Sequence, residues 1–136
     1  MIHVFRLADA GDARGNSFGI RIDHLSFLRG VKDIHVMTLL PGHIRGDHYH
    51  VRRREAIVVV YRNEWSLFWD MGENTEVQCQ SFSDSGAVLI GVEPGASHAI
   101  RNDGADQLQI IALSDEAFDP SDPDTFPRQV APGGRW

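Results

Sequence analysis

Short runs of strand-forming residues, each cut off by turn chemistry, constrain this chain more than any other feature. The runs are Ile2 to Leu7, Ser17 to Asp23, Asp33 to Leu40, Ile44 to His50, Ala56 to Tyr61, Glu64 to Asp70, Thr75 to Gln80, Ala87 to Val92, Ser97 to Arg101 and Gln107 to Leu113. Between them lie Pro41-Gly42, Arg62-Asn63, Met71-Gly72-Glu73-Asn74, Ser85-Gly86, Pro94-Gly95 and Asn102-Asp103-Gly104. Gly and Asn supply positive φ, and Pro a fixed φ, where a chain must reverse tightly. Many strands this short at this spacing predict an all-β sandwich or barrel. No repeat, low-complexity segment or linker interrupts them, and 136 residues suit one domain with a sizeable core. Residues 1–136 are therefore expected to form a single domain. Its tail from about Asp115, rich in Asp, Pro and Gly, is expected to wrap the outside and fray at its end.

Side-chain alternation extends this reading. If Glu55 points into the barrel, so do Ile57, Val59 and Tyr61. With Arg62-Asn63 as a two-residue hairpin loop, Tyr61 pairs with Glu64, and Glu64, Ser66, Phe68 and Asp70 also face inward. Trp65, Leu67 and Trp69 then face outward beside Val58 and Val60. So large an apolar face predicts cover by the N-terminal strand or by a second subunit, and on this ground a homodimer is expected.

Charge excludes one class of partner. A net charge of -6 leaves no basic excess to neutralise phosphates, so no nucleic acid is expected. Arg52-Arg53-Arg54 is the one basic run; such a run is most often a solvated loop, and its other reading is contact with a substrate diphosphate. Cys79 is the only cysteine, which precludes an intramolecular disulfide and suits a reducing compartment. The N-terminus enters a strand pattern without a charged and then apolar leader, and no stretch approaches the roughly 20 apolar residues of a membrane span. A cytoplasmic protein is expected, with no membrane partner.

The chemistry concentrates in two segments. Pro41-Gly42-His43-Ile44-Arg45-Gly46-Asp47-His48-Tyr49-His50 is followed by Glu55, and Glu93-Pro94-Gly95-Ala96-Ser97-His98 runs on to Asn102. Along a strand, His48 and His50 share a face roughly 6.6 Å apart. That spacing lets both imidazoles reach one ion, with Glu55 as an oxygen ligand and His98 as a third nitrogen. A lone His-x-His is usually a pair of surface or lumen histidines, a lone Glu a solvated strand start, and Pro-Gly only a turn. The specificity lies in their order: Gly, five residues, His-x-His, four residues, Glu, then Pro-Gly-x-x-His-x-x-x-Asn.

In that order the two segments resemble the two motifs of the cupin superfamily. Gly42, His48, His50 and Glu55 match the first, and Pro94, Gly95, His98 and Asn102 the second. Arg62 stands where the first motif usually has a glycine, and Pro94 sits directly beside Gly95. Arg45-Gly46-Asp47-His48-Tyr49-His50 and Phe118-Asp119-Pro120-Ser121-Asp122-Pro123-Asp124-Thr125-Phe126 are similar to segments of the C-terminal cupin domain of capsular-polysaccharide nucleotide-sugar epimerase/reductases. This likeness covers about residues 36 to 127. Arg14-Gly15-Asn16 is more distantly similar to the start of the nucleotide-sugar 3,4-ketoisomerases.

The resemblance implies a small antiparallel β-barrel, a jelly-roll or double-stranded β-helix, with His48, His50, Glu55 and His98 around one divalent ion in its mouth. Zinc, nickel, iron and manganese all suit such a donor set. It further implies an epimerase or ketoisomerase acting on a nucleotide-linked 4-keto-6-deoxy sugar in polysaccharide or sugar-metabolite biosynthesis. A base removes the proton beside the ketone, and the metal takes up the negative charge that develops. His98 and the inward Tyr61 are the candidate proton carriers, against the plainer reading that the Tyr61 ring only fills the barrel. Arg45 and Arg101 are the candidate substrate-binding arginines. No Gly-x-Gly-x-x-Gly fingerprint occurs, so any reduction is expected to fall to another protein.

Two other readings fit the same residues. An iron-dependent small-molecule dioxygenase would use the same open three-His, one-Glu site, and iron with O₂ uptake would reveal it. A non-catalytic sugar-binding or sensing module would bind such a sugar tightly without turning it over.

Overall fold

Strand pairing sorts the chain into two antiparallel sheets whose order follows from how each strand distributes its apolar residues. The computed structural model describes residues 1–133; the fraying expected of the tail falls on 134–136, outside the described residues. Its strands are β1 (Ile2–Arg6), β2 (Asp33–Leu39), β3 (Ile44–Tyr49), β4 (Glu55–Tyr61), β5 (Trp65–Asp70), β6 (Gln78–Phe82), β7 (Gly86–Val92), β8 (Ser97–Asn102), β9 (Leu108–Ser114) and β10 (Phe126–Pro127). One sheet has the order β1-β7-β4-β9-β2 and the other β10-β3-β8-β5-β6. Successive strands alternate between sheets from β2 to β5, which makes the jelly-roll of the cupin fold, as expected.

The apolar run of β4, Ala56-Ile57-Val58-Val59, is buried on both faces. Inward, Ile57, Val59 and Tyr61 join Ile90, Ile110 and Leu108 in the main core. Outward, Ala56, Val58 and Val60 are covered by Phe5, Leu7, Leu25, Phe27 and Leu28 of the N-terminal segment. A strand covered on both sides loses the alternation of a half-wet strand, which is why β4 and β7 read as continuous hydrophobic runs. No strand forms at Ser17 to Asp23. The Asp9 carboxylate accepts the backbone N–H groups of Gly11 and Ser17 and the Asn16 amide, folding the segment into a loop, and a 3-10 turn follows at Ile22–Leu25.

The expected hairpin between β4 and β5 is absent, and this reverses every assignment built on it. Residues 62–64 carry the chain from one sheet to the other, so β4 pairs with β7 and β9 whereas β5 pairs with β6 and β8. Trp65 and Leu67 point inward and are fully buried. Trp65 stacks on Phe82 at 4.3 Å, with Tyr61 edge-on to it at 5.5 Å. Ser66, Phe68 and Asp70 face outward beneath the C-terminal segment: Phe68 packs with Val130 and Ala131, and Asp70 receives the Arg128 guanidinium. A one-residue change in the assumed connection flips a whole strand, and here it did. The outward Trp65–Trp69 patch does not exist, and the homodimer inferred from it loses its basis. Trp69 is half-buried against the main core. In the C-terminal segment β10 pairs to β3.

Trp65→Ala should therefore destabilise the folded chain by about 3–5 kcal/mol, the range for emptying a fully buried aromatic site. Urea unfolding followed by far-UV circular dichroism measures it; a loss below about 1 kcal/mol would mean that the indole is not in the core.

Candidate metal centre and cavity

The site begins with a bulge in β3. Gly46 pairs with Ala99, but His48, not Asp47, pairs with His98, so Asp47 is the extra residue. Gly46 has φ +100°, and a Cβ there would lie 2.6 Å from the His98 carbonyl oxygen, so only glycine fits. Asp47 has φ +57° and turns its carboxylate outward, where it accepts the N–H groups of Val130 and Ala131 at 2.9 and 3.0 Å. The bulge sets His48 and His98 face to face, with ring centroids 4.9 Å apart and nearly perpendicular.

His50 and Glu55 are positioned by the loop between β3 and β4. The buried Asp124 carboxylate accepts the N–H groups of Val51, Arg52 and Arg53 at 2.9, 2.9 and 2.8 Å. Its main-chain carbonyl accepts Nδ1–H of His50 at 2.7 Å. Asp115, also buried, takes the N–H of Arg54 and the guanidinium of Arg29. The second motif locks onto the first: Gly95 N–H donates to the His50 carbonyl at 2.7 Å, and Gly42 N–H to the Asn102 carbonyl at 2.9 Å.

One donor atom from each of His48, His50, Glu55 and His98 lies within 4.8 Å of the others. His50 gives Nδ1–H to Asp124, and His98 gives Nδ1–H to the Ala96 carbonyl at 3.1 Å. Each neutral ring therefore turns its Nε2 lone pair toward Glu55, whose Oε1 lies 2.5 Å from His50 Nε2 and 3.9 Å from that of His98. The His50 Nε2 is buried and makes no well-aligned hydrogen bond. Lone pairs and a carboxylate converging in a buried space need a positive charge between them, either a proton or a cation. Three imidazole nitrogens and one carboxylate oxygen are a donor set that fits a divalent transition metal.

Ionisation follows the same logic. Burial, then the neighbouring His98 and His50, push His48 down to about 3. Burial likewise lowers His98. At His50 burial acts downward, but the Glu55 carboxylate and the Asp124 carbonyl outweigh it, and its pKa rises. Burial would raise Glu55, yet the close His50 ring and the other imidazoles carry it down to about 2. Without a metal, the Glu55 carboxylate favours a proton on His50, while burial disfavours one on His48 and His98.

The four residues sit in a cavity of about 400 Å³. Its inner surface is apolar, with Ile57, Ile100 and Ile110, and Arg45 and Arg53 also line it. Arg45 is therefore at the cavity; its Nε donates to the Thr38 carbonyl. Arg101 is not. It lies on the outer face of β8, over the Phe68 ring at 4.9 Å and paired with Asp103. Nor does the fold bring Tyr61 to the cavity. It ends β4 where Glu55 begins it, six steps or roughly 20 Å away along the strand, and its ring fills the far end of the core. Sequence reasoning overlooked Asp33 and His35, and gave no role to Asp124 although it lies in the Phe118 to Phe126 segment. Asp33 and His35 share the inner face of β2 with Met37 and Leu39, a period-2 pattern visible in the sequence; the role of Asp124 is not local, because its partners are about seventy positions upstream.

Comparisons with known proteins agree with this architecture. The chain is 30% identical over 104 residues to UDP-2-acetamido-2,6-beta-L-arabino-hexul-4-ose reductase of Pseudomonas aeruginosa, covering 71% of this chain but 26% of that protein. It thus spans about a quarter of the length of that curated relative. The capsular polysaccharide assembling protein CapF of Staphylococcus aureus superposes with a TM-score of 0.66 at 23% identity, over 93% of this chain and 35% of that one. The 3,4-ketoisomerase QdtA of Thermoanaerobacterium thermosaccharolyticum, solved with TDP-4-keto-6-deoxyglucose, gives 0.67 at 13% identity, over 92% and 86%. NovW, a 4-keto-6-deoxy sugar epimerase of Streptomyces spheroides, gives 0.70 at 16% identity, over 88% and 66%. The family described as polysaccharide biosynthesis C-terminal domain matches residues 8–126, and the chain belongs to that family.

Proposed function

We propose that this chain is a metal-binding cupin that moves the proton beside the ketone of a nucleotide-linked 4-keto-6-deoxy sugar, as an epimerase or ketoisomerase. The observation that carries the reading is the buried His48–His50–Glu55–His98 cluster at an apolar cavity with Arg45 and Arg53 on its wall. The kinds of protein that share the fold, a 4-keto-6-deoxy sugar epimerase and a 3,4-ketoisomerase among them, support it. A divalent ion held by the four residues would act as a Lewis acid toward a carbonyl oxygen. The chain's own residues do the rest. Apolar walls exclude water and strengthen each charge inside. Arg45 and Arg53 offer cationic contacts to a diphosphate. Asp124 fixes the His50 ring in one tautomer. On this reading the protein works in the cytoplasm, on a small-molecule substrate.

His48→Ala and His98→Ala should each lower bound metal, measured by elemental analysis of the folded variants after dialysis. Full stoichiometry in both would remove the ion from the proposal. Asp124→Asn should weaken metal affinity by about 10–100-fold through the loosened His50 ring. The sign of the pH effect is set by His50. Its raised pKa means that Nε2 keeps its proton to a higher pH than a free imidazole would, and the metal must displace that proton. Affinity should strengthen as pH rises through that value and weaken as pH falls. Calorimetry in two buffers of different ionisation heat should show proton release, and binding without it would contradict this.

The activity is tested by incubation in D₂O with uridine- and thymidine-linked 4-keto-6-deoxy sugars. Proton NMR should show deuterium entering the carbon beside the ketone. Tight binding without any incorporation would instead identify a binding module.

A further inference from the structure

The cavity holds a second polar group, two strands away from the histidine cluster. Asp33 and His35 lie on the inner face of the edge strand β2, and both line the cavity. Register places Asp33 opposite Ser114 of β9, and Ser114 opposite Glu55 of β4. Asp33 and Glu55 thus occupy one row across three strands, roughly 10 Å apart at the spacing of neighbouring strands. His35 stands two residues further along that face, opposite Ala112. The pair and the metal-type cluster thus face one cavity from different strands.

The pair is also oriented. Asp33 Oδ2 accepts the N–H of Phe118 at 3.0 Å, which fixes the carboxylate, and Oδ1 lies 3.4 Å from Nε2 of His35. With Nε2 turned to the carboxylate, the proton of the neutral ring belongs on Nε2, and Nδ1 is left with a free lone pair. His35 is half-exposed at the cavity mouth, where a ligand can reach it. Packing does not explain an imidazole here: its neighbours along the same face are Met37 and Leu39, which do join the core.

We infer that His35, positioned by Asp33, is the residue that takes and returns the carbon-bound proton of the keto sugar. The inference rests on the function proposed above and assigns the proton transfer within it. His35 Nδ1 accepts the proton from the carbon next to the carbonyl. The C–H electron pair becomes the C=C bond of an enolate, and the carbonyl π pair moves onto oxygen. Return of the proton to carbon restores the ketone and the neutral imidazole, and no oxidant or co-reactant is consumed. Asp33 is a positioning residue: it holds the ring and favours the imidazolium formed midway. The other charged or titratable groups facing the cavity are Arg45, Arg53, Glu55 and the imidazoles of His48, His50 and His98.

The test measures deuterium incorporation from D₂O into a thymidine-linked 4-keto-6-deoxy sugar, beside calorimetric substrate affinity and metal content. His35→Gln should lower the exchange rate at least about 100-fold, with affinity and metal content unchanged. Asp33→Asn should slow exchange less, with substrate affinity and metal content again unchanged, because the ring is still present but no longer held. Exchange by His35→Gln at the wild-type rate overturns the assignment while leaving the proposed activity standing. Absence of exchange in the wild-type protein overturns both.

Discussion

One buried carboxylate, Asp124, organises the mouth of this barrel. Three consecutive N–H groups, of Val51, Arg52 and Arg53, converge on it, and its own carbonyl takes the His50 ring proton. Without that acceptor, the loop between β3 and β4 would hold three unpaired donors beside a dense group of arginines. The loop sets where Glu55 enters β4, and Glu55 sets the row that crosses β9 to Asp33. Its ionisation is held well on the anionic side: burial opposes this, and the three converging N–H groups outweigh burial. Only an acid drop beneath the usual carboxylate range would neutralise this anchor and release the loop, so the anchoring contribution is full above that range and is lost as pH falls below it.

Much of the fold was legible because the strands and their turns are local. Eight of the ten expected runs coincide with strands to within a residue or two, since β-branched runs bounded by Gly, Pro and Asn report on their own backbone. The exceptions are instructive. Ser17 to Asp23 alternates like a strand, but Asp9 captures its flanking N–H groups and no neighbouring strand remains to pair with it. Thr75 to Gln80 starts three residues later than expected, after the turn closed by the Thr75 hydroxyl. The reversed face of β5 has a different cause. Whether a three-residue connection is a hairpin or a crossing between sheets depends on partners far along the chain, and local sequence does not carry that.

The site divides in the same way. Spacing on β3 put His48 and His50 on one face, and the turns carrying Gly42 and Gly95 are bonded to Asn102 and His50, so the two motif segments are two halves of one junction. Tyr61 and Arg101 illustrate the limit. Both have suitable chemistry, but strand parity and distance along a strand put one at the closed end and the other on the outer face. Asp33 and His35 carry no motif at all. Only the row that Asp33 shares with Ser114 and Glu55, with His35 beside it on the same face, gives them meaning.

Seventy-four positions separate His50 from the carbonyl that aligns it. A ribosome makes residues in order, so every strand but β10 is synthesised before Asp124. Until then the His50 imidazole lacks the carbonyl that accepts its Nδ1–H, and the loop beside it lacks its acceptor. The pocket is thus completed from the end of the chain backwards.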